Sequence, residues 1–323
     1  MKKILLTAAA LLAVSAAHAD YRPIVNDRYF TTTAELNGGV QSAISPFSSS
    51  VTYTVASELV ANSRRLETLL NASMDASFRE KGGTLGSGTL TGPFRIVLSP
   101  TGTGQTAFAM SGANYVANGT VSGSYLGVSY TCYVNIRLNN LQAFATFNNA
   151  STIVDGSGST TYSRDVSASC TTSISWLPVF DAIADTFADR WAAARANGQI
   201  DTYARELVNG LFARPNGLPS GLDKIGAAVG AVTQANGVTV GVAQVLHYLD
   251  DRQGVIDMTL GTFAPIANKS GVVEPSSNRI VGQLLDFKFT HPQVGNYRMG
   301  LTDTAVVTWQ YVCPLGSKTC WIP

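Results

Sequence analysis

Charge is scarce in this chain. Only 13% of its 323 residues are Asp, Glu, Lys or Arg, and 22 basic groups against 21 acidic leave a formal net charge of +1. With so even a balance and no basic cluster, the electrostatic footprint of a nucleic-acid binder is missing. So is the polybasic patch that holds a protein to an anionic membrane surface. Histidine and cysteine are rarer still, with three of one and four of the other. Cys132, Cys170, Cys313 and Cys320 contain no Cys-x-x-Cys pair, and two of the histidines, His247 and His291, are all that lie beyond residue 18. That inventory is too poor for a zinc site, so neither metal nor cofactor is expected. Long apolar runs are also missing. The longest, Ile4 to Val14, is too short to cross a bilayer, so no transmembrane segment is expected.

That one run has the flanks of a secretory leader instead. Lys2 and Lys3 precede it and Ala17-His18-Ala19 follows as a small-x-small cleavage site, which predicts a signal peptide over 1–19 cut after Ala19 and a periplasmic or extracellular product. In an oxidising compartment an even cysteine count favours disulfides. Four cysteines allow three connectivities. Cys132 and Cys170 both fall on the apolar parity of alternating stretches, which favours Cys132–Cys170 and leaves Cys313–Cys320 as a small terminal loop.

Scarce histidine also argues against enzymatic chemistry. A hydrolase triad would need His247 or His291 as its base, and no Gly-x-Ser-x-Gly elbow accompanies either. Asp250, Asp251 and Asp257 form the best acidic cluster, but Arg252 sits among them and the alternating Asp/Asn spacing of a calcium loop is missing. A solvated hairpin end is the expected reading, and the protein is expected not to be an enzyme.

What the chain does have is periodicity of both kinds. Residues 20–50 show no sustained period and are expected to be an extended N-terminal segment. Leu59, Leu66, Leu70 and Met74 recur at helical spacing from Thr54 to Arg79. Phe94, Ile96 and Leu98 then alternate, as do Val128 through Leu138, which predicts half-buried strands. Asn139-Asn140 is expected to turn the chain into a return strand, Leu141 to Phe147. Val166 to Ile174, Val238–Tyr248, Val255–Leu260, Arg279–Thr290 and Thr304–Cys313 are further predicted strands. Between them, Trp176, Phe180, Ile183, Phe187, Trp191 and Ala194 share one face of a predicted helix, and Ile200, Tyr203, Ala204, Leu207, Val208 and Leu211 continue as a second.

A long helix, long strands with a cysteine pair, and the helix pair opening on Trp176-Leu177-x-x-Phe180-x-x-Ile183 together resemble the tubular lipid-binding superfamily of bactericidal/permeability-increasing-like proteins. The resemblance covers about residues 51–260. It implies a bent antiparallel sheet around a long helix, with a greasy tunnel for acyl chains and no catalytic residues. The expected fold class is α+β, a single domain over 51–323 in which a large curved antiparallel sheet wraps long amphipathic helices. The expected function is binding of a lipid or other apolar small molecule, with Leu66, Leu70, Met74, Phe180, Phe187, Trp191 and Leu207 as lining. The competing expectation is a secreted β-rich interaction or envelope protein that meets a protein or glycan partner through Trp309, Tyr311 and Trp321.

Overall fold

Alternation of apolar and polar residues runs through this chain over longer stretches than the expected strands allow, and the sheet that results dominates the protein. The computed structural model describes residues 19–48, 50–101, 104–125, 127–148, 159–172, 198–199, 202–204, 206, 221–249, 253–271 and 274–312. The elements are β1 (Ala19–Leu36), β2 (Gly39–Pro46), α1 (Ser50–Glu80), β3 (Gly83–Thr91), β4 (Phe94–Pro100), β5 (Gln105–Tyr125), β6 (Val128–Asn148) and β7 (Ser159–Thr172). After these come α2 (Gly221–Val229), β8 (Ala231–Thr233), β9 (Thr239–Gly241), α3 (Val242–His247), β10 (Val255–Leu260), β11 (Lys269–Gly271), β12 (Arg279–His291) and β13 (Gly295–Val312). Eleven strands pair antiparallel in one sheet, in the order β11-β1-β13-β12-β10-β4-β5-β6-β7, with β2 added to β1 and β3 to β5. β8 and β9 form a separate hairpin.

The expected α+β class is therefore corrected. Over the described residues the protein is predominantly β, with one long helix rather than several against the sheet. Among the described residues only α1, at 31 residues, is long, while α2 and α3 span nine and six. The physical reason is strand length: β5 and β6 take 21 residues each, and β1 and β13 take 18. The segment 20–50, expected to be extended and without sustained period, carries most of β1 and all of β2, paired into the sheet. The stretch Val238–Tyr248, expected to be a strand, is the short β9 followed by α3. Most of the helix pair predicted from Ser175 to Leu211 lies outside the described residues. Within it, Tyr203 and Ala204 are buried, and Glu206 accepts both guanidinium hydrogen bonds of Arg65.

One face of the sheet is apolar. Phe30, Ala34 and Leu36 of β1, Met258 and Leu260 of β10, Leu285, Phe287 and Phe289 of β12, and Tyr297, Met299 and Leu301 of β13 join one core. α1, about 46 Å long at 1.5 Å per residue, sends Val55, Leu59, Leu66, Leu70, Met74 and Phe78 into the same core. Polar bonds fix its register: Asn71 Nδ2 donates to the Gly88 carbonyl (3.0 Å), the Tyr115 hydroxyl donates to Asn71 Oδ1 (2.6 Å), and the Leu90 N–H donates to Glu67 (2.7 Å). Burial pushes the Tyr115 phenol well above its ordinary pKa.

The other face of the sheet is wet and ionic. Arg95 of β4 makes two hydrogen bonds to Asp257 of β10, both 3.0 Å, and Arg298 of β13 makes two to Asp286 of β12. Cys132 stands directly opposite Cys170 in the β6–β7 register and is bonded to it, as the shared parity predicted. Such a disulfide is compatible with an oxidising compartment. Among the described residues no helix is long and apolar enough to cross a membrane. The predicted Cys313–Cys320 loop and the leader up to residue 18 lie outside the described residues.

Candidate functional site

Among the described residues a cleft sits at one end of the sheet, where short turns and α3 converge. Its construction begins at Asn37-Gly38, both with positive φ (45° and 82°). A two-residue hairpin with two left-handed positions is the turn that matches strand twist, and Asn-Gly is its preferred sequence. Asn37 then clamps its neighbours. Its Nδ2 donates to Gln234 Oε1 (3.2 Å) on the β8–β9 hairpin and to the Val294 carbonyl (3.1 Å) on the β12–β13 turn. Its Oδ1 accepts from the Asn296 N–H (3.3 Å). One side chain thus joins three loops into a rim.

α3 supplies the opposite wall. Val242, Val245 and Leu246 face the core, an i, i+3, i+4 set that leaves Ala243, Gln244 and His247 outward. Gln244 reaches back to accept the Gly241 N–H (3.2 Å), fastening the first turn. Beneath α3, Gly226 of α2 lies so close that a Cβ there would meet Val242 Cγ1 at 2.5 Å. Gly226 therefore serves close packing of two short helices, whereas Gly230, at φ 78° with open space around it, follows the end of α2 in the left-handed region. Tyr248, at the C-terminal end of α3, stands 5.0 Å from the buried His291 ring, and His291 Nδ1 accepts the Gln293 N–H (3.1 Å).

The cleft so formed has a volume of about 790 Å³ and is lined by Leu36, Asn37, Gln234, Val240, Ala243, Gln244, Val245, His247, Tyr248, Gln293 and Val294. Six of these residues are aliphatic or aromatic and five carry a carboxamide or imidazole. It contains no carboxylate, ammonium, guanidinium or thiol. A cleft of this size and make-up suits a small molecule with an apolar body and uncharged hydrogen-bonding groups.

Of the residues expected to line a tunnel, the three described ones sit elsewhere. Leu66, Leu70 and Met74 are fully buried against the sheet, while Phe180, Phe187, Trp191 and Leu207 lie outside the described residues. Of the aromatic patch, Trp309 is buried and donates Nε1–H to the Ser277 carbonyl (2.8 Å). Tyr311 is half-buried and meets Tyr21 edge to face at 5.6 Å; Trp321 is outside the described residues. Among the described residues no cluster of three or more His, Cys, Asp or Glu could hold a metal, and Asp257 is spoken for by Arg95. The sequence reading missed the cleft because its residues come from four separate stretches. The one local signal was Asn37-Gly38 between alternating runs, a hairpin mark that went unused.

No protein-family model and no curated protein matches the chain. Among solved structures it is similar to one titled a crystal structure of lipopolysaccharide binding protein, at 8% identity and a TM-score of 0.25, covering 88% of this chain and 82% of that one. A likeness so slight leaves both fold and site to be read from this chain's own residues.

Proposed function

We propose that the protein is an exported binding protein for an uncharged amphiphilic small molecule, such as a lipid with a hydroxyl- or amide-bearing head. The ligand sits in the cleft between α3 and the turns of the sheet. The single observation that supports this reading is the half-apolar lining, whose polar members are carboxamides, an imidazole and a phenol, with no carboxylate, ammonium or guanidinium. Leu36, Val240, Val245 and Val294 offer apolar surface, while Asn37, Gln234, Gln244 and Gln293 offer donors and acceptors that do not discriminate by charge. An anionic or cationic ligand would lose its hydration there without gaining a counter-charge. With no acid or thiol in the lining, the reading is binding without turnover. The Cys132–Cys170 bond and the leader-like start support export.

Native mass spectrometry of protein recovered from the periplasm tests it, comparing wild type with Ala243→Trp. Ala243 is exposed in the cleft wall, so an indole there fills the cleft without touching the core. The reading expects a co-purified neutral adduct on the wild type and its loss from the variant. An adduct retained by Ala243→Trp places the ligand elsewhere.

A further inference from the structure

The outer edge of β2 is built to pair with a second copy of itself. Among the described residues β2 pairs only with β1; the β8–β9 hairpin approaches it at Gly39, and no described strand pairs with its other edge from Val40 to Ile44. The β1–β2 register runs from Leu36↔Gly39 to Tyr29↔Pro46, and the Phe47 N–H donates to the Arg28 carbonyl (3.1 Å). In an antiparallel ladder every second residue bonds to the same neighbour. Gly39, Gln41, Ala43 and Ser45 therefore bond to β1, and Val40, Ser42 and Ile44 direct their N–H and C=O groups outward.

Those same three residues carry the exposed side chains of the water-facing side. Val40 is 66% exposed and Ile44 is 70% exposed, unusual for aliphatic residues on a strand edge. Edges are normally blunted by charge, most often lysine, or by a proline or bulge within the strand. Gly39–Pro46 contains no charged residue, its proline is terminal, and its register against β1 is unbroken.

From this geometry we infer that two copies of the protein associate by antiparallel β2–β2 pairing about a two-fold axis through Ser42. The motif Val40-x-Ser42-x-Ile44 is self-complementary about that axis. Ser42 faces Ser42 of the second copy in a hydrogen-bonded pair, and each Val40 faces an Ile44 in a hydrogen-bonded pair. Each of these three pairs exchanges two backbone hydrogen bonds, and two aliphatic cross-strand contacts form on one face. A neutral edge meets its own copy without repulsion, and a two-fold pairing closes, so it yields dimers rather than fibres. The contact is short, so the dimer depends on concentration. It involves no residue of the cleft lining and stands whether or not the cleft binds a ligand.

Sedimentation velocity over a concentration series, together with cross-linking, tests the pairing. Wild type should shift from monomer to dimer as concentration rises. Ile44→Lys should stay monomeric, because it replaces the aliphatic contact with Val40 of the second copy by a charge on the pairing edge. Ser42→Pro removes an outward N–H that β1 does not use, and should also stay monomeric with an unchanged far-UV spectrum. Ser42→Cys should give a disulfide-linked dimer on mild oxidation, since a hydrogen-bonded pair brings Cα atoms to about 5.5 Å. Gln41→Cys, facing the other side and off the axis, should not. A wild type that stays monomeric at its solubility limit, with no Ser42→Cys cross-link, overturns the inference. A dimer that survives both Ile44→Lys and Ser42→Pro overturns it as well.

Discussion

Asp303 is fully buried on the helix-covered side of β13, an expensive place for a carboxylate. It is held by three donors: Arg28 Nε at 2.9 Å, Arg28 Nη2 at 2.6 Å and the Ala264 N–H at 2.8 Å. The Arg28 guanidinium, 22% exposed, also lies 3.8 Å over the Phe47 ring. This cluster ties β1, β13, the loop after β10 and the approach to α1 together. In Arg28→Met the aliphatic stem is kept and the charge is lost, so Asp303 retains one donor of three. Breaking a buried pair by removing one partner costs about 3–5 kcal/mol. Arg28 sits at the water boundary, which lets solvent reach the vacated site and favours the lower end, about 3 kcal/mol. Asp303→Asn should cost less, about 1–2 kcal/mol, because the stranded guanidinium can turn to solvent. The double variant Arg28→Met/Asp303→Leu should recover most of the loss, since apolar replacement of a buried pair is often neutral. Urea unfolding of the four proteins at constant m-value measures the three losses. Single variants within about 0.5 kcal/mol of wild type would show that the pair holds nothing together, and would refute the reasoning.

Two further outcomes are expected. The hydrogen bonds from Arg95 hold the Asp257 carboxyl below its ordinary pKa, against a smaller opposing effect of burial. A depressed folded pKa gives stability that is whole above the ordinary value of 3.8 and lost as pH falls through the folded one. In Arg95→Gln the Asp257 midpoint should therefore rise, read by carbon-13 carboxyl titration, and an unmoved midpoint would contradict the assignment. Replacing Cys132 and Cys170 by serine opens a cross-link between residues 38 apart, which the chain-entropy relation values at roughly 4 kcal/mol. Denaturant midpoints should fall accordingly, and unchanged midpoints would place no stability in that bond.

The sequence disclosed the strongly periodic elements and hid those whose pattern was bent by packing. α1 and the strands around Phe94–Leu98, Val255–Leu260 and Arg279–Thr290 were legible because bulky apolar residues repeat there without interruption. The alternation disclosed no strand between Leu98 and Val128, where β5 lies. Its inward positions Ala113, Ala117 and Gly119 are small because α1 lies against them: a Cβ on Gly119 would meet the Phe78 ring at 2.7 Å. The turn expected at Asn139-Asn140 is no turn. β6 runs straight through it to Asn148, with Asn140 at φ 53° and a register shift against β7 between Asn139 and Gln142. The mark was present, since the buried parity passes from Val134, Ile136 and Leu138 to Leu141, Ala143 and Ala145. A switch of parity on one face is what a bulge produces and a hairpin does not require. Of the candidate site, the sequence pointed to α1's ridge, which the sheet covers. It could not bring Asn37, Gln234, Gln244 and Gln293 together, because only the folded turns do so.

The most direct measurement of the central claim is a calorimetric titration with a monomeric non-ionic alkyl glycoside, run on wild type and on Ala243→Trp at matched stability. The account predicts saturable binding to the wild type, little sensitivity to salt because the glycoside is uncharged, and loss of binding in the variant. A wild type that takes up no glycoside, or a variant that binds it equally well, would contradict the assignment of the cleft as the ligand site.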